Sequence, residues 1–361
     1  MIKFIAVKDY QFFYYNLLLL FVLLLFIDSQ QTRLEDHGNL KKKNIHGILL
    51  MTLVIFYAGL RPITFSHFGD MGRYNYYFEQ YVAGAPLRVG KDIAFELYMK
   101  ICSSLMTAQM FFLTCAFLYI FPLYKACKKM FDDYWYYAFF MLLASFSFWA
   151  YCVNGIRNGL ATTMFLYAVT RDRKIIQYAL VALSISIHGS LMIPAAAFVV
   201  TSYYKNTKHY FYFWLLAIPL SIALGGFWEN LFMSLGFGEE ERLQGYLSDV
   251  DEAVEKSGFR WDFVLYSASG VLAGWYFIIK KKYEDPFYKQ LFNIYLTVNG
   301  FWILVIRANF SNRFAYLSWF MLGIIIIYPY LKMRFFNKQH QIVGYIVFLY
   351  FLFTYIMGLK R

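Results

Sequence analysis

Three arginines in this chain, Arg157, Arg307 and Arg313, each stand at the outer end of a long apolar stretch. A permanent cation at that depth is costly unless it faces water, a counter-charge or an anionic ligand. Guanidinium groups are planar forks that grip phosphate bidentately, so three of them reaching one level predict a phosphate or diphosphate clamp. Asp70, Glu96 and His188 fall at the same outer level, and each is a proton acceptor of the kind a hydroxyl nucleophile needs. The combination predicts group transfer to an alcohol with a phosphorylated leaving group. A plainer reading stands beside it. Each arginine can pair with a carboxylate such as Asp70 or Glu96 simply to close a helix bundle, and His188, just before Gly189-Ser190, can hydrogen-bond a neighbouring helix. The wider outer set is completed by Arg61, His67, Arg73, Glu79, Arg260 and Asp262, with His67 read as a bystander. Next to Asp70 and Arg73, the run Tyr74, Tyr76, Tyr77, Phe78 and Tyr81 suits stacking on sugar rings. It equally suits the aromatic belt of a membrane interface.

The elements that must position these residues follow from composition. The chain has 361 residues, of which 60% are hydrophobic, 22% aromatic and only 16% charged. A soluble domain of this length has no means of hiding that much apolar surface. Apolar segments long enough to cross the roughly 30 Å of bilayer hydrocarbon recur from end to end. We read an all-α polytopic membrane protein forming one integral domain, 1–361, with about twelve transmembrane helices. The spans fall near 10–27, 45–60, 108–124, 135–152, 155–170, 175–188, 190–204, 209–226, 262–279, 290–306, 314–331 and 342–358. The first apolar run, Phe12 to Ile27, ends in Asp28-Ser29-Gln30 with no small-residue cleavage pattern, so it is expected to stay as helix one.

Charge sets the orientation. The connections 28–44, 125–134, 171–174, 205–208, 280–289 and 332–340 hold 19 of the 34 Lys and Arg residues but 8 of the 22 Asp and Glu. Short basic loops stay in the cytosol. The net charge of +12 is therefore mainly a topology signal rather than a nucleic-acid footprint. His37, His46, His209 and His340 map to that inner edge, where they are expected to snorkel among lysines. Two long connections, 61–107 and 227–261, fall outside, and loops of that length in a compact protein tend to be functional. From Asp92 to Thr107, Ile93, Ala94, Leu97, Ile101, Leu105 and Met106 recur at helical spacing while Glu96 and Lys100 share another face. That pattern predicts an amphipathic helix along the outer interface. The second loop carries Glu239-Glu240-Glu241 and Asp249-Val250-Asp251-Glu252, a solvated acidic face or a lid. Cys102, Cys115, Cys127 and Cys152 have no paired spacing, and His67 with Asp70 is too few ligands, so no disulfide framework and no metal site is expected.

Taken in order, these segments resemble a known family. Gly69-Asp70-Met71-Gly72-Arg73-Tyr74, Phe95-Glu96-Leu97, Asn154-Gly155-Ile156-Arg157-Asn158-Gly159-Leu160-Ala161, Ser186-Ile187-His188 and Asn312-Arg313-Phe314-Ala315-Tyr316 look like the successive motifs of the EpsG family, over about residues 55 to 330. Asn158 departs from the pattern, which often has Gln after the arginine. The resemblance implies a GT-C-like Wzy-type polymerase of exopolysaccharide, capsule or O antigen in the bacterial inner membrane. It would join repeat units carried on undecaprenyl diphosphate at the outer face, with no cofactor, no metal and no nucleic acid, alongside a possible chain-length regulator. It further implies Arg157, Arg307 and Arg313 on the diphosphate, and Asp70 or His188 as the base. Arg73, Tyr74, Tyr77, Glu96, Asn154, Asn158 and Tyr316 would then bind substrate. Two other readings stand: a flippase for the same lipid-linked unit, and an O-antigen ligase or related lipid-carrier glycosyltransferase. The ionisable groups gather at the outer edge rather than at the midplane, and no half-to-half similarity is visible, which disfavours the transporter.

Overall fold

A computed structural model describes residues 5–65, 67–90, 92–232, 258–308 and 311–359. The acidic runs Glu239-Glu240-Glu241 and Asp249-Val250-Asp251-Glu252, with the lid expected there, lie outside the described residues. Every regular element among the described residues is helical. Among the described residues, five helical stretches are long and apolar enough to cross a membrane: Val7–Gln31, Ala108–Leu143, Trp261–Lys280, Asn312–Lys332 and Gln339–Leu359. The chain is thus a membrane-embedded helical protein. Length and apolarity alone do not return twelve crossings. The spans at 175–188 and 190–204 fall on the shorter apolar helices Lys174–Ile187 and Gly189–Tyr203, and the one at 135–152 is broken in the middle.

The chain folds as two compact units, Met1–Met192 with Ile327–Arg361, and Ile193–Ile326. In the first, α1 (Tyr10–Gln31) packs on the C-terminal helix α17 (Gln339–Leu359). Helix α2 (His37–Gly59) starts where the Asp36 carboxylate accepts the Asn39 N–H, an N-cap. It packs on α5 (Ala108–Phe131), which is capped by Thr107 and packs in turn on α8 (Ile156–Val169). Between α2 and α5 stand α3 (Met71–Val82) and α4 (Ile93–Leu105), packed on each other. Helix α4 is the expected amphipathic helix, with one correction. Ile93, Leu97, Ile101 and Leu105 form its exposed stripe, the surface an interfacial helix turns to lipid, whereas Glu96 is buried against the protein. Helix α3 was not foreseen: Tyr74, Phe78 and Tyr81 are its buried face.

The span expected at 135–152 splits into α6 (Trp135–Leu143) and α7 (Phe148–Val153) around Ser145 and Ser147. Carbonyls released by a break inside a bilayer need partners. The Tyr14 hydroxyl of α1 donates to Leu143 O at 2.8 Å and the Thr354 hydroxyl of α17 donates to Ala144 O at 2.8 Å. Helix α9 (Lys174–Ile187) then packs on α8 and α4 and ends at His188.

The second unit takes in most of α10 (Met192–Tyr203), then α11 (Thr207–Leu224), α12 (Phe227–Phe232), α13 (Trp261–Trp275), α14 (Pro286–Leu304) and α15 (Asn312–Trp319), and the start of α16 (Leu322–Lys332). Helices α11 and α14 form its principal pair, and α14 opens with Pro286 behind the Asp285 cap. Asn299 ties its core, accepting from Trp214 Nε1 at 2.7 Å and donating to the Ser267 and Ser318 hydroxyls.

Candidate functional site: an aspartate between an arginine and a histidine

The residue that organises one end of the first unit is Asp92. It sits just ahead of α4 with φ of 64°, a left-handed backbone that Asp tolerates better than most residues. Three donors from two separate stretches converge on its carboxylate. Arg157 Nη1, from the first turn of α8, lies 2.6 Å from Oδ2. His188 Nδ1, at the end of α9, lies 2.9 Å from Oδ1, and the Gly189 N–H donates to Oδ1 at 2.9 Å. The Asp92 side chain is only 3% exposed, Arg157 16% and His188 12%. Burial alone would raise the Asp92 carboxyl. The His188 hydrogen bond and charge, the Arg157 cation and the Gly189 amide outweigh it and hold that carboxyl below its ordinary value.

This arrangement fixes the direction of every bond. An ionised carboxylate only accepts, so His188 Nδ1 carries a proton, and in the neutral ring Nε2 is the acceptor. Arg157 also donates from Nε to the Tyr74 hydroxyl at 3.3 Å, with its guanidinium 5.7 Å from the Tyr74 ring centroid. Among the described residues, neither Arg157 Nη2 nor His188 Nε2 has a hydrogen-bond partner. A half-neutralised cation and an oriented base thus keep one position each for a ligand. Asn158, one residue past Arg157, accepts from the Ser190 hydroxyl at 2.9 Å and joins the same two stretches a second time.

Around this centre the other expected residues fall into place unevenly. Asn154 Oδ1 accepts the Asp70 N–H at 2.9 Å. Gly69 makes that approach possible: its φ is 53°, and a Cβ there would meet Asn154 Oδ1 at 2.1 Å. Arg61 is fully buried, donating to Ala58 O and, at 3.1 Å, to Val153 O, so it caps the ends of α2 and α7 and fixes the chain just before Asn154. Glu96 accepts from the Tyr81 hydroxyl at 2.6 Å and lies 3.8 Å from Arg88, whose guanidinium stacks 3.6 Å over Tyr77. Burial and then the Glu96 bond push the Tyr81 phenol up to about 12. Arg73 and Glu79 are exposed on α3. In the second unit Arg313 is exposed, Arg307 half-buried beside Gly225, and Tyr316 buried with Asn312 donating to its hydroxyl at 3.4 Å. Arg260 and Asp262 satisfy each other through paired bonds of 2.9 and 2.6 Å. No group of three metal-ligating side chains occurs among the described residues.

Sequence reasoning missed Asp92, Ser190 and Arg88. Asp92 was the boundary of a predicted helix, and nothing in a lone acid before an apolar run tells that its backbone will turn left-handed. The Tyr74, Phe78 and Tyr81 spacing marks the buried face of α3 in the sequence itself.

The fold and this site define a membrane-embedded helical protein with a buried Arg-Asp-His centre at the ends of its helices. The EpsG family model matches residues 44–360, nearly the whole chain, and the chain belongs to the EpsG family. It is thereby placed among polymerase-like membrane proteins of exopolysaccharide biosynthesis. No curated protein and no solved structure matches it.

Proposed function

We propose that this chain is a Wzy-type polysaccharide polymerase of the bacterial inner membrane. It moves a growing glycan from one undecaprenyl-diphosphate carrier onto the non-reducing end of a second carrier-linked repeat unit at the periplasmic face. The observation that carries this reading is the Asp92 centre, which sets an arginine and an oriented histidine side by side at the heart of the family motifs. In the transfer, the acceptor hydroxyl oxygen forms a bond to the anomeric carbon of the donor, and the bond from that carbon to the diphosphate oxygen breaks. The hydroxyl proton passes to His188 Nε2, and the electron pair leaves with the carrier diphosphate. Arg157 neutralises the departing diphosphate, with Arg313 and Arg307 as its partners in the same task, an interaction strengthened by exclusion of water. What favours His188 over Asp70 as the base is its bond to Asp92, which fixes the tautomer and stabilises the imidazolium that forms. Tyr74, Tyr77, Arg73, Glu96, Asn154, Asn158 and Tyr316 are the proposed substrate contacts. The donor is lipid-linked and the arginines take the place of a cation, so neither a nucleotide nor an obligatory metal enters the scheme. About twelve crossings and a chain-length regulator as partner belong to the same proposal.

Arg157→Ala is expected to abolish chain growth while the protein still inserts, read as loss of the polymer ladder with single translocated repeat units on the cell surface. Long polymer in that variant overturns the assignment. In a deletion strain, units trapped in the cytosolic leaflet point to a flippase, and long unattached polymer points to a ligase.

A further inference from the structure

A cavity of about 190 Å³ in the first unit is lined by Lys8 and Gln11 at the start of α1, by His67 and Gly69 ahead of α3, and by Trp149 and Asn154 at α7 and its end. None of Asp92, Arg157 and His188 lines it, yet Asn154 belongs to the stretch that ends in Arg157. The polar valences inside are defined by bonds already made. Because Asn154 Oδ1 must accept the Asp70 N–H, its Nδ2 is the free end, with no hydrogen-bond partner among the described residues. Gln11 is set the opposite way: its Nε2 donates to Gly358 O at 3.3 Å, so its Oε1 is the free end. One small cavity therefore presents an amide donor, an amide acceptor and an indole, with Lys8 and His67 beside them.

That set discriminates among ligands. An acyl chain has no use for two amides. A bare phosphate, which only accepts when ionised, would answer Lys8 and Asn154 Nδ2 but leave the Gln11 carbonyl oxygen without a donor. A sugar hydroxyl both donates and accepts, and the C–H face of a sugar ring packs on an aromatic plane. The volume suits a single ring, well below that of a typical drug-sized pocket of roughly 300 Å³ or more. We propose that this cavity binds one sugar residue of the acceptor glycan, its hydroxyls on Gln11 Oε1 and Asn154 Nδ2 and its ring beside Trp149, one face of whose indole is taken by Tyr14 at 4.5 Å. The word acceptor rests on the polymerase reading; the sugar specificity does not. A seated ring would press on Asn154 and so on the Asp70 junction that it holds, coupling acceptor occupancy to the Arg157 turn.

The test uses the full chain in lipid nanodiscs. The probe is the lipid-free repeat-unit oligosaccharide released by partial acid hydrolysis from the polysaccharide of the producing cell, followed by saturation-transfer NMR and tryptophan fluorescence. Saturable binding is expected, weakened at least about tenfold by Gln11→Met and by Trp149→Leu, as loss of a hydrogen bond or a stacking surface requires. Gln11→Met keeps the shape and serves where Trp149→Leu fails to fold, with the thermal midpoint as the check. Equal binding by the native chain and Gln11→Met, or an acyl chain of the nanodisc lipid filling the cavity, overturns the proposal. So does absence of saturable binding by the native chain. If Arg157→Ala retains polymer while the oligosaccharide still binds in a Gln11-dependent way, the polymerase reading fails and the sugar site stands.

Discussion

The first unit contains two buried clusters built from the same three kinds of residue, an aspartate, a cation and a histidine. At one end Asp92 meets Arg157 and His188. At the other edge Asp28 pairs with Lys43 at 2.8 Å, and His340 sits close by among Thr32, Asn39 and Tyr137. What separates them is the histidine. His340 is 3% exposed and both its nitrogens are taken, Nδ1 by Thr32 and Nε2 by the Tyr137 hydroxyl at 2.8 Å. It does not snorkel among lysines as the sequence predicted, because three helices close over it. His188 spends only Nδ1 on Asp92 and keeps Nε2 for a ligand. Lys43, likewise, is shut away at 2% exposure beside one acid, while Arg157 is 16% exposed and keeps an N–H within reach of a ligand. Identical chemistry types thus make a brace in one place and the proposed reactive centre in the other. The histidine's second nitrogen and the exposure of the cation distinguish them.

The sharpest way to break that comparison is to remove the two acids. Asp92→Asn leaves Arg157 buried beside a neutral amide, so chain growth is expected to vanish, with stability falling by about 3–5 kcal/mol as for a broken buried pair. Asp28→Asn is expected to lose comparable stability, yet to keep native chain growth for each folded molecule. Polymer ladders normalised to inserted protein decide it, and equal loss in both variants erases the distinction. Next come the histidines. His188→Gln should slow chain growth by roughly 10²–10⁴-fold if Nε2 takes the proton, whereas His340→Gln should lower the thermal midpoint and leave the rate per molecule near native.

A smaller effect is expected from pH. The Asp92 carboxyl titrates below its ordinary value, so its contribution to stability is complete above the unfolded pKa of about 3.9 and is lost as pH falls through the lower folded value. Thermal midpoints of the purified protein should therefore drop in acid, and by less in Asp92→Asn. The smallest effect belongs to Tyr74→Phe. It removes one acceptor of Arg157 and leaves the Asp92 pair, so a loss of about 1 kcal/mol and a several-fold slower ladder are expected. A null ladder from Tyr74→Phe would instead give the phenol a direct role on substrate.

Much of this was open to a reader of the chain alone. Apolar stretches at the length of a bilayer declared the class, because no soluble fold hides 60% hydrophobic residues at this size. The order of the motifs around Asp70, Arg157, His188 and Arg313 declared the family. Helix α4 was visible in its spacing, and Arg157 in the cost of a cation at that depth. The tertiary structure alone decided which acid Arg157 meets. Asp70 and Glu96 were the natural candidates, being nearest in motif and charge, yet Glu96 faces Tyr81, Asp70 offers its backbone to Asn154, and Asp92 takes the cation. Pairing between residues 65 and 96 positions apart depends on where α4, α8 and α9 end in space. Periodicity records which face of a helix is apolar; it carries no record of which helix end arrives beside which.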